Sequence, residues 1–230
     1  MRTTMVGLCS AGLFVVGMGA APALSIPGTL HSRDTKNAVV GTVTKVVLHG
    51  DSGDLRVQAG KPVNLSTHQQ WNIAAPSLKE SFSAGVLTVT TSCPNLPENN
   101  CAVDVTVTVP AAVTVQATAN VGNLRTHDLV GSETLQADVG DVLIENVTAD
   151  TVSGAAQVGN VVATLPHAPL STTLTAGTGD VRATVPSGAY VLTTSAQTGD
   201  VTVSGVTNDS RAARRLTART DTGDVTVQGR

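Results

Sequence analysis

The sequence predicts an all-β protein: a parallel β-solenoid or β-helix-like stack with an antiparallel β segment at its N-terminal side. Three observations lead there. A Gly-Asp/Asn-Val/Leu corner returns about every twenty residues, the segments between corners alternate apolar and polar residues, and Val and Thr are abundant while aromatic residues make up 2%. Val and Thr fit the pleated surface of a strand. A period near twenty residues without helical patterning is the mark of stacked coils. With Trp71, Tyr190, Phe14 and Phe82 as the only large rings, the core has to be assembled from Val, Leu, Ala and Thr in thin, closely spaced layers.

The elements follow in chain order. After MRTT, the run from Met5 to Ala21 is apolar and ends at Ala21-Pro22-Ala23. A charged start, an apolar stretch and a small-residue end describe a secretory signal peptide over residues 1–23. The run also approaches the length that crosses a bilayer, so an N-terminal anchor through residues 5–23 is the alternative. Either reading places the rest of the chain outside the cytoplasm, secreted or tethered. Residues 24–38 are polar, interrupted by Pro27 and Gly28, and read as a linker.

Residues 39–110 hold period-two segments separated by Gly, Pro and Asn. In AVDVTVTVP, Val103, Val105, Val107 and Val109 share one face, while Asp104, Thr106 and Thr108 share the other. Cys93 and Cys101 bracket the Pro- and Asn-rich segment PNLPENN. In an exported chain such a pair reads as a disulfide closing a short loop, with no His or third Cys nearby to suggest a metal.

Residues 111–230 carry the repeat. Its corners are Gly122-Asn123, Gly140-Asp141, Gly159-Asn160, Gly179-Asp180, Gly199-Asp200 and Gly223-Asp224, at steps of 18, 19, 20, 20 and 24 residues. Gly53-Asp54-Leu55 is an outlying upstream copy. Three residues before each Gly stands a small residue: Ala119, Ala137, Ala156, Ala176, Ala196 and Thr220. The second and fourth residues after each Gly, among them Val201 and Val203, are expected to point into the core. The third (Arg125, Leu143, Val162, Arg182, Thr202, Thr226) should point outward.

The corner itself reads as backbone geometry. Gly reaches positive φ without a steric penalty, and Asp or Asn beside it can bond nearby backbone as in an Asx-turn. A second reading is calcium, because stacked carboxylates about 4.8 Å apart repel. Asp180, Asp200 and Asp224 are then the candidates, since no Asn separates them in sequence. The known calcium-binding roll, however, has paired glycines and a nine-residue period, which this chain lacks. A third reading is a polysaccharide-active enzyme using Asp180 and Asp200 as a carboxylate pair. The scarcity of aromatic sugar platforms argues against it, as do five histidines at unrelated repeat phases (31, 49, 68, 127 and 167). A formal charge of −3 with mixed signs offers no nucleic-acid footprint. The one basic cluster, RAARRLTAR (211–219), falls in the longest repeat step and reads as a solvated insertion at a coil edge.

The TGDV-type corners, following a segment shaped like CPNLPENNCAVDVTVTVP, resemble a bacterial domain-of-unknown-function family known by the label "putative adhesin". That family is related to the head-GIN, auto-transporter-adhesin-like β-helical domains. The resemblance covers roughly residues 40–230. It implies an exported, non-catalytic β-solenoid surface protein without a cofactor, and it carries over no catalytic or ligand residues. The expected role is an adhesive or structural module at the bacterial envelope, with an envelope, matrix or glycan surface as partner. A calcium-stabilised solenoid and the polysaccharide-active enzyme are the alternatives.

Overall fold

The computed structural model describes residues 29–230; the expected signal peptide or anchor lies outside the described residues. Twenty strands run in chain order: β1 (His31–Ala38), β2 (Lys45–Ser52), β3 (Leu55–Ala59), β4 (Asn64–Trp71), β5 (Ser77–Ser83), β6 (Val86–Ser92) and β7 (Ala102–Val109). The repeat region continues with β8 (Thr114–Val121), β9 (Leu124–His127), β10 (Glu133–Val139), β11 (Val142–Glu145), β12 (Thr151–Val158), β13 (Val161–Thr164), β14 (Ser171–Thr178) and β15 (Val181–Val185). It closes with β16 (Gly188–Thr198), β17 (Val201–Ser204), β18 (Val206–Asn208), β19 (Arg215–Thr222) and β20 (Val225–Gly229).

These strands form two ten-stranded sheets, and each coil gives one strand to each sheet across a Gly-Asx corner. Sheet A has the order β1-β4-β7-β3-β9-β11-β13-β15-β20-β17, and sheet B the order β18-β16-β19-β14-β12-β10-β8-β2-β6-β5. The core lies between them, filled by the inward phases of each strand: Val115, Ala117 and Ala119 of β8, or Val225 and Val227 of β20. Small β-branched side chains suit this gap, because each coil must repeat the same shape at the strand spacing.

Among the described residues, antiparallel pairing is confined to β1–β4, β4–β7 and β5–β6. The upstream Gly53-Asp54-Leu55 copy is a full member of the stack, with β2 and β3 pairing in parallel with β8 and β9. Residues 31–38, read from sequence as the end of a linker, form the edge strand β1. Its polar composition fits an end strand, whose inner face has no further layer to cover it. Asn37 of β1 donates to the Glu80 carboxylate of β5 at 3.2 Å, joining the two sheets across this end. At the other end of β1, His31 stacks on Trp71 with 5.6 Å between ring centroids.

Two further expectations are corrected at the opposite end. The coils do not stack in chain order: β19 and β20 insert between the β14/β15 coil and the β16/β17 coil. The extra residues of the longest repeat step, 209–214, let the chain turn back inside the coil it has just built. RAARRLTAR is therefore no edge insertion. Its second half is an internal strand with Leu216 and Ala218 fully buried and Arg215 and Arg219 outside. The β16/β17 coil becomes the end of the stack, so Val201 and Val203, expected in the core, are 43% and 39% exposed. Tyr190 closes the turn into this coil, buried and donating its hydroxyl to the Pro186 carbonyl at 2.7 Å.

Cys93 and Cys101 are joined by a disulfide. Asn99 fastens the loop they close, accepting from the Ile73 and Ala74 amides and donating to the carbonyls of Ala74 and Pro94. Replacing both cysteines by serine is expected to lower stability by about 2–3 kcal/mol, the chain-entropy value for a short loop. Denaturant melts of the oxidised chain and the double variant measure it.

Candidate functional site

The corner column is the most regular polar feature of the molecule. In spatial order it runs Asp104, Asp54, Asn123, Asp141, Asn160, Asp180, Asp224, Asp200. Each Oδ1 accepts the backbone N–H of the next Asx, at 2.7–2.9 Å, from Asp104 and Asp54 through to Asp224 and Asp200. The side chains thus bond the neighbouring coil rather than their own turn. The asparagines add a second contact: Asn123 and Asn160 donate their side-chain amides to Asp54 and Asp141 at 3.1 and 3.2 Å. Each Asn therefore separates two carboxylates and hydrogen-bonds one of them, which lowers the repulsion along the column.

The glycines of the corner stack directly on one another. Gly122, Gly140 and Gly159 have φ of +141° to +142°, and a Cβ on any of them would lie 2.0–2.1 Å from the carbonyl oxygen of the glycine beneath. No side chain fits that spacing.

Insertion of the last coil also rearranges the proposed carboxylates. Asp224 stands between Asp180 and Asp200, so these two are separated by two strand spacings, about 9–10 Å. The three remain a contiguous acidic run, and Oδ1 of both Asp180 and Asp224 is occupied by a backbone N–H. Asp224→Asn keeps that acceptor while removing the central charge. It is expected to raise stability by about 0.5–1 kcal/mol at low ionic strength, with the gain shrinking in salt. Thermal melts at two salt concentrations check this. A calcium-dependent rise in the wild-type melt that vanishes in the variant would instead mark a cation site.

The histidines do not converge. His49 bonds Thr118, His68 pairs with Asp34 at 2.6 Å, and His127 pairs with its neighbour Asp128. His167 lies in the loop between β13 and β14. Among the described residues no group of three or more His, Cys, Asp or Glu is placed to hold a metal.

One ionisable residue is buried and was not singled out from sequence. Glu133, 1% exposed, occupies the inward column Val46-Val115-Glu133-Val152-Thr172-Leu216. Thr126 donates its hydroxyl to Oε2 at 2.8 Å, while Oε1 has no partner among the described residues. Burial pushes its carboxyl up to about 7, against a smaller lowering by the Thr126 hydrogen bond. The signal was present: Glu133 lies four residues before Ala137, and the equivalent positions before the other small residues are Val115, Val152, Thr172, Leu192 and Leu216.

The accessible chemistry lies on the outer faces of the two sheets. On sheet B the row Thr134-Ser153-Thr173-Thr217-Thr193 crosses five strands in register, a continuous line of hydroxyls. On sheet A the corresponding row reads Lys36-Ser66-Thr106-Arg56-Arg125-Leu143-Val162-Arg182. Its outward direction agrees with the sequence phase. Arg125 is bound there to Glu145, with Nε 2.7 Å from Oε2.

Two ten-stranded sheets with polar side chains in register and a hydrogen-bonded spine define a β-solenoid-like scaffold. The chain belongs to the Toastrack DUF4097 family, whose model matches residues 40–228. Among solved structures, it is similar to a protein from Bacteroides fragilis described as a putative adhesin. The identity is 14%, the match covers 87% of this chain and 97% of that one, and the TM-score is 0.50. A protein from Clostridium sporogenes described as a putative cell adhesion protein matches at 11% identity over 87% of this chain and 100% of its own, with a TM-score of 0.47. One from Parabacteroides distasonis described as a putative lipid binding protein matches at 10% identity over 87% and 97%, with a TM-score of 0.31. None of the curated proteins matches. The likeness to the Bacteroides fragilis structure supports the all-β, mainly parallel fold.

Proposed function

We propose that this chain is an exported, non-catalytic interaction module of the bacterial envelope, adhesive or structural in role. The observation that carries the reading is the pair of in-register outer faces, which offer rows of hydroxyl, amide and cationic groups over an extended plane. Solenoids use such planes to hold partners along their length. The family match and the description of a structural neighbour as an adhesin support the same reading, and the kinship with head-GIN, auto-transporter-adhesin-like domains is part of the proposal. Export through the apolar N-terminal segment, by cleavage or as an anchor, also belongs to it, and the disulfide suits an oxidising compartment. The partner is an envelope, matrix or glycan surface.

The test is retention of the purified chain (residues 24–230) on immobilised cell-wall, matrix and glycan surfaces. Saturable retention without product release is the expected result. Failure to bind any of them removes the reading, and turnover of a glycan that is lost in Asp180→Ala or Asp200→Ala replaces it with the enzyme.

A further inference from the structure

We infer that the interaction plane of sheet A carries a defined site for an acidic polysaccharide, in a groove at the β1–β4–β7–β3 end of the stack. This rests on the interaction-module reading and names the ligand class for one of its faces. The groove, about 560 Å³ in volume, is lined by Lys36 and Lys61 together with Gln58, Ser66, Thr106 and Thr108. Arg56 lies next to Thr106 in the same cross-strand row. Lys36, Ser66, Thr106 and Arg56 are consecutive in register, so the two end cations stand about 14–15 Å apart across three strand spacings.

Charge selects the ligand. Lys36, Arg56 and Lys61 are exposed, and among the described residues none of them forms an ion pair; Arg125, next in the row, is already held by Glu145. The nearest carboxylates, Asp34, Asp104 and Asp54, keep their charge but stand in the adjoining row on the far side of Lys36 and Arg56 from Gln58, Lys61 and Asn64, where they bond His68 and the amides of the corner ladder. On the groove side, three cations outside any described ion pair border a lining without Asp or Glu and make a local anion site on a chain whose overall charge is −3.

The floor selects a carbohydrate. Hydroxyls and amides at one strand spacing can exchange hydrogen bonds with successive sugar hydroxyls, while the cations take carboxylates at separated positions along the polymer. A single-stranded nucleic acid would need aromatic platforms for its bases, and the only indole of the chain, Trp71, is stacked with His31 away from this groove; a duplex would need a broader basic face than three cations on a chain of charge −3. A bilayer surface would need a sizeable apolar element to insert beside the cations, and of the groove's side chains only Ala59 and Pro62 are apolar.

The experiment measures binding of the 24–230 chain to immobilised alginate at low ionic strength, with dextran as the neutral polymer and phosphatidylglycerol vesicles as the lipid arm. Alginate retention, absent on dextran and weakened by salt, is expected. The triple variant Lys36→Gln, Arg56→Gln, Lys61→Gln should lose at least about tenfold in affinity, the equivalent of about 1.4 kcal/mol. Its far-UV circular dichroism and melt should match the wild type. A charge-matched control, Lys79→Gln, Arg211→Gln, Arg215→Gln, removes three exposed cations elsewhere and should keep binding. Equal losses in the two variants, equal retention on dextran, or vesicle binding in place of alginate binding would overturn the site. Retention only on other envelope or matrix surfaces would overturn the site while leaving the module reading in place; retention on none would remove both.

Discussion

Gly159→Ala is expected to cost at least about 4 kcal/mol, enough to unfold a domain of ordinary stability. Two effects add at this position. The residue holds φ at +142°, which disfavours any side chain, and the new Cβ would lie 2.1 Å from the Gly140 carbonyl oxygen. Relief would require moving two coils apart, which breaks the parallel ladder on both sides of the corner. Asn160→Ala, one residue later, is expected to cost only about 1–2 kcal/mol. It removes the acceptor of the Asp180 amide and the donor to Asp141, but leaves the backbone path intact. Denaturant unfolding of the two variants against wild type reads both values, and the order Gly159 over Asn160 is the essential result. A Gly159→Ala chain that unfolds with the wild-type midpoint would mean that the glycine stack is not the determinant of coil spacing.

Glu133→Gln should raise stability above neutral pH and flatten its pH dependence. The folded carboxyl titrates at about 7, above its ordinary value of 4.5. Below 4.5 the folded and unfolded chains are both protonated at this residue, and stability is highest with respect to it. Between 4.5 and 7 the unfolded chain ionises first, so stability falls as pH rises. Above 7 the full penalty is present, about 3 kcal/mol at 1.36 kcal/mol per pKa unit. Glutamine keeps an acceptor for the Thr126 hydroxyl and carries no charge, so the variant should exceed the wild type by about 1–3 kcal/mol at pH 8 and approach it at pH 4. The difference between the two unfolding curves across pH isolates this group from the surface carboxylates. A difference that does not change with pH would show that Glu133 ionises alike in the folded and unfolded chains.

Much of the scaffold was legible because each coil must satisfy the same packing. Small residues before the glycine and apolar residues after it repeat, so aligning the copies reveals which faces point inward. Two things were not carried by the repeat. Spatial order was one: β19/β20 and β16/β17 share the same columns, so nothing local to either coil says which lies inside. The length of the 24-residue step is the available hint, and from sequence an insertion at a coil edge accounts for it equally well. Val201 and Val203 were misplaced for that reason, since their phase is inward but their coil ends the stack. The direction of the Asx side chains was the other. An Asp beside a Gly fits a local turn as well as a bond to the next coil, and only the neighbouring coil's amide distinguishes them.

The candidate surfaces were less legible than the core. Lys36, Arg56 and Lys61 belong to a presumed linker, an upstream strand and a loop, and they meet only because β4 and β7 lie between β1 and β3 in sheet A. Non-consecutive pairing of that kind leaves no spacing in the sequence.

Amide hydrogen exchange at Asp180, in the wild type and in Asn160→Ala without calcium, tests the ladder most directly. The account predicts slow exchange in the wild type, comparable to the neighbouring strand amides, because this N–H donates to Oδ1 of Asn160 at 2.9 Å. In Asn160→Ala the Asp180 amide should exchange faster while the amides of Asp141 and Asp224, which bond Asn123 and Asp180, keep their protection. Loop-like exchange at Asp180 in the wild type, or protection unchanged by Asn160→Ala, would contradict it.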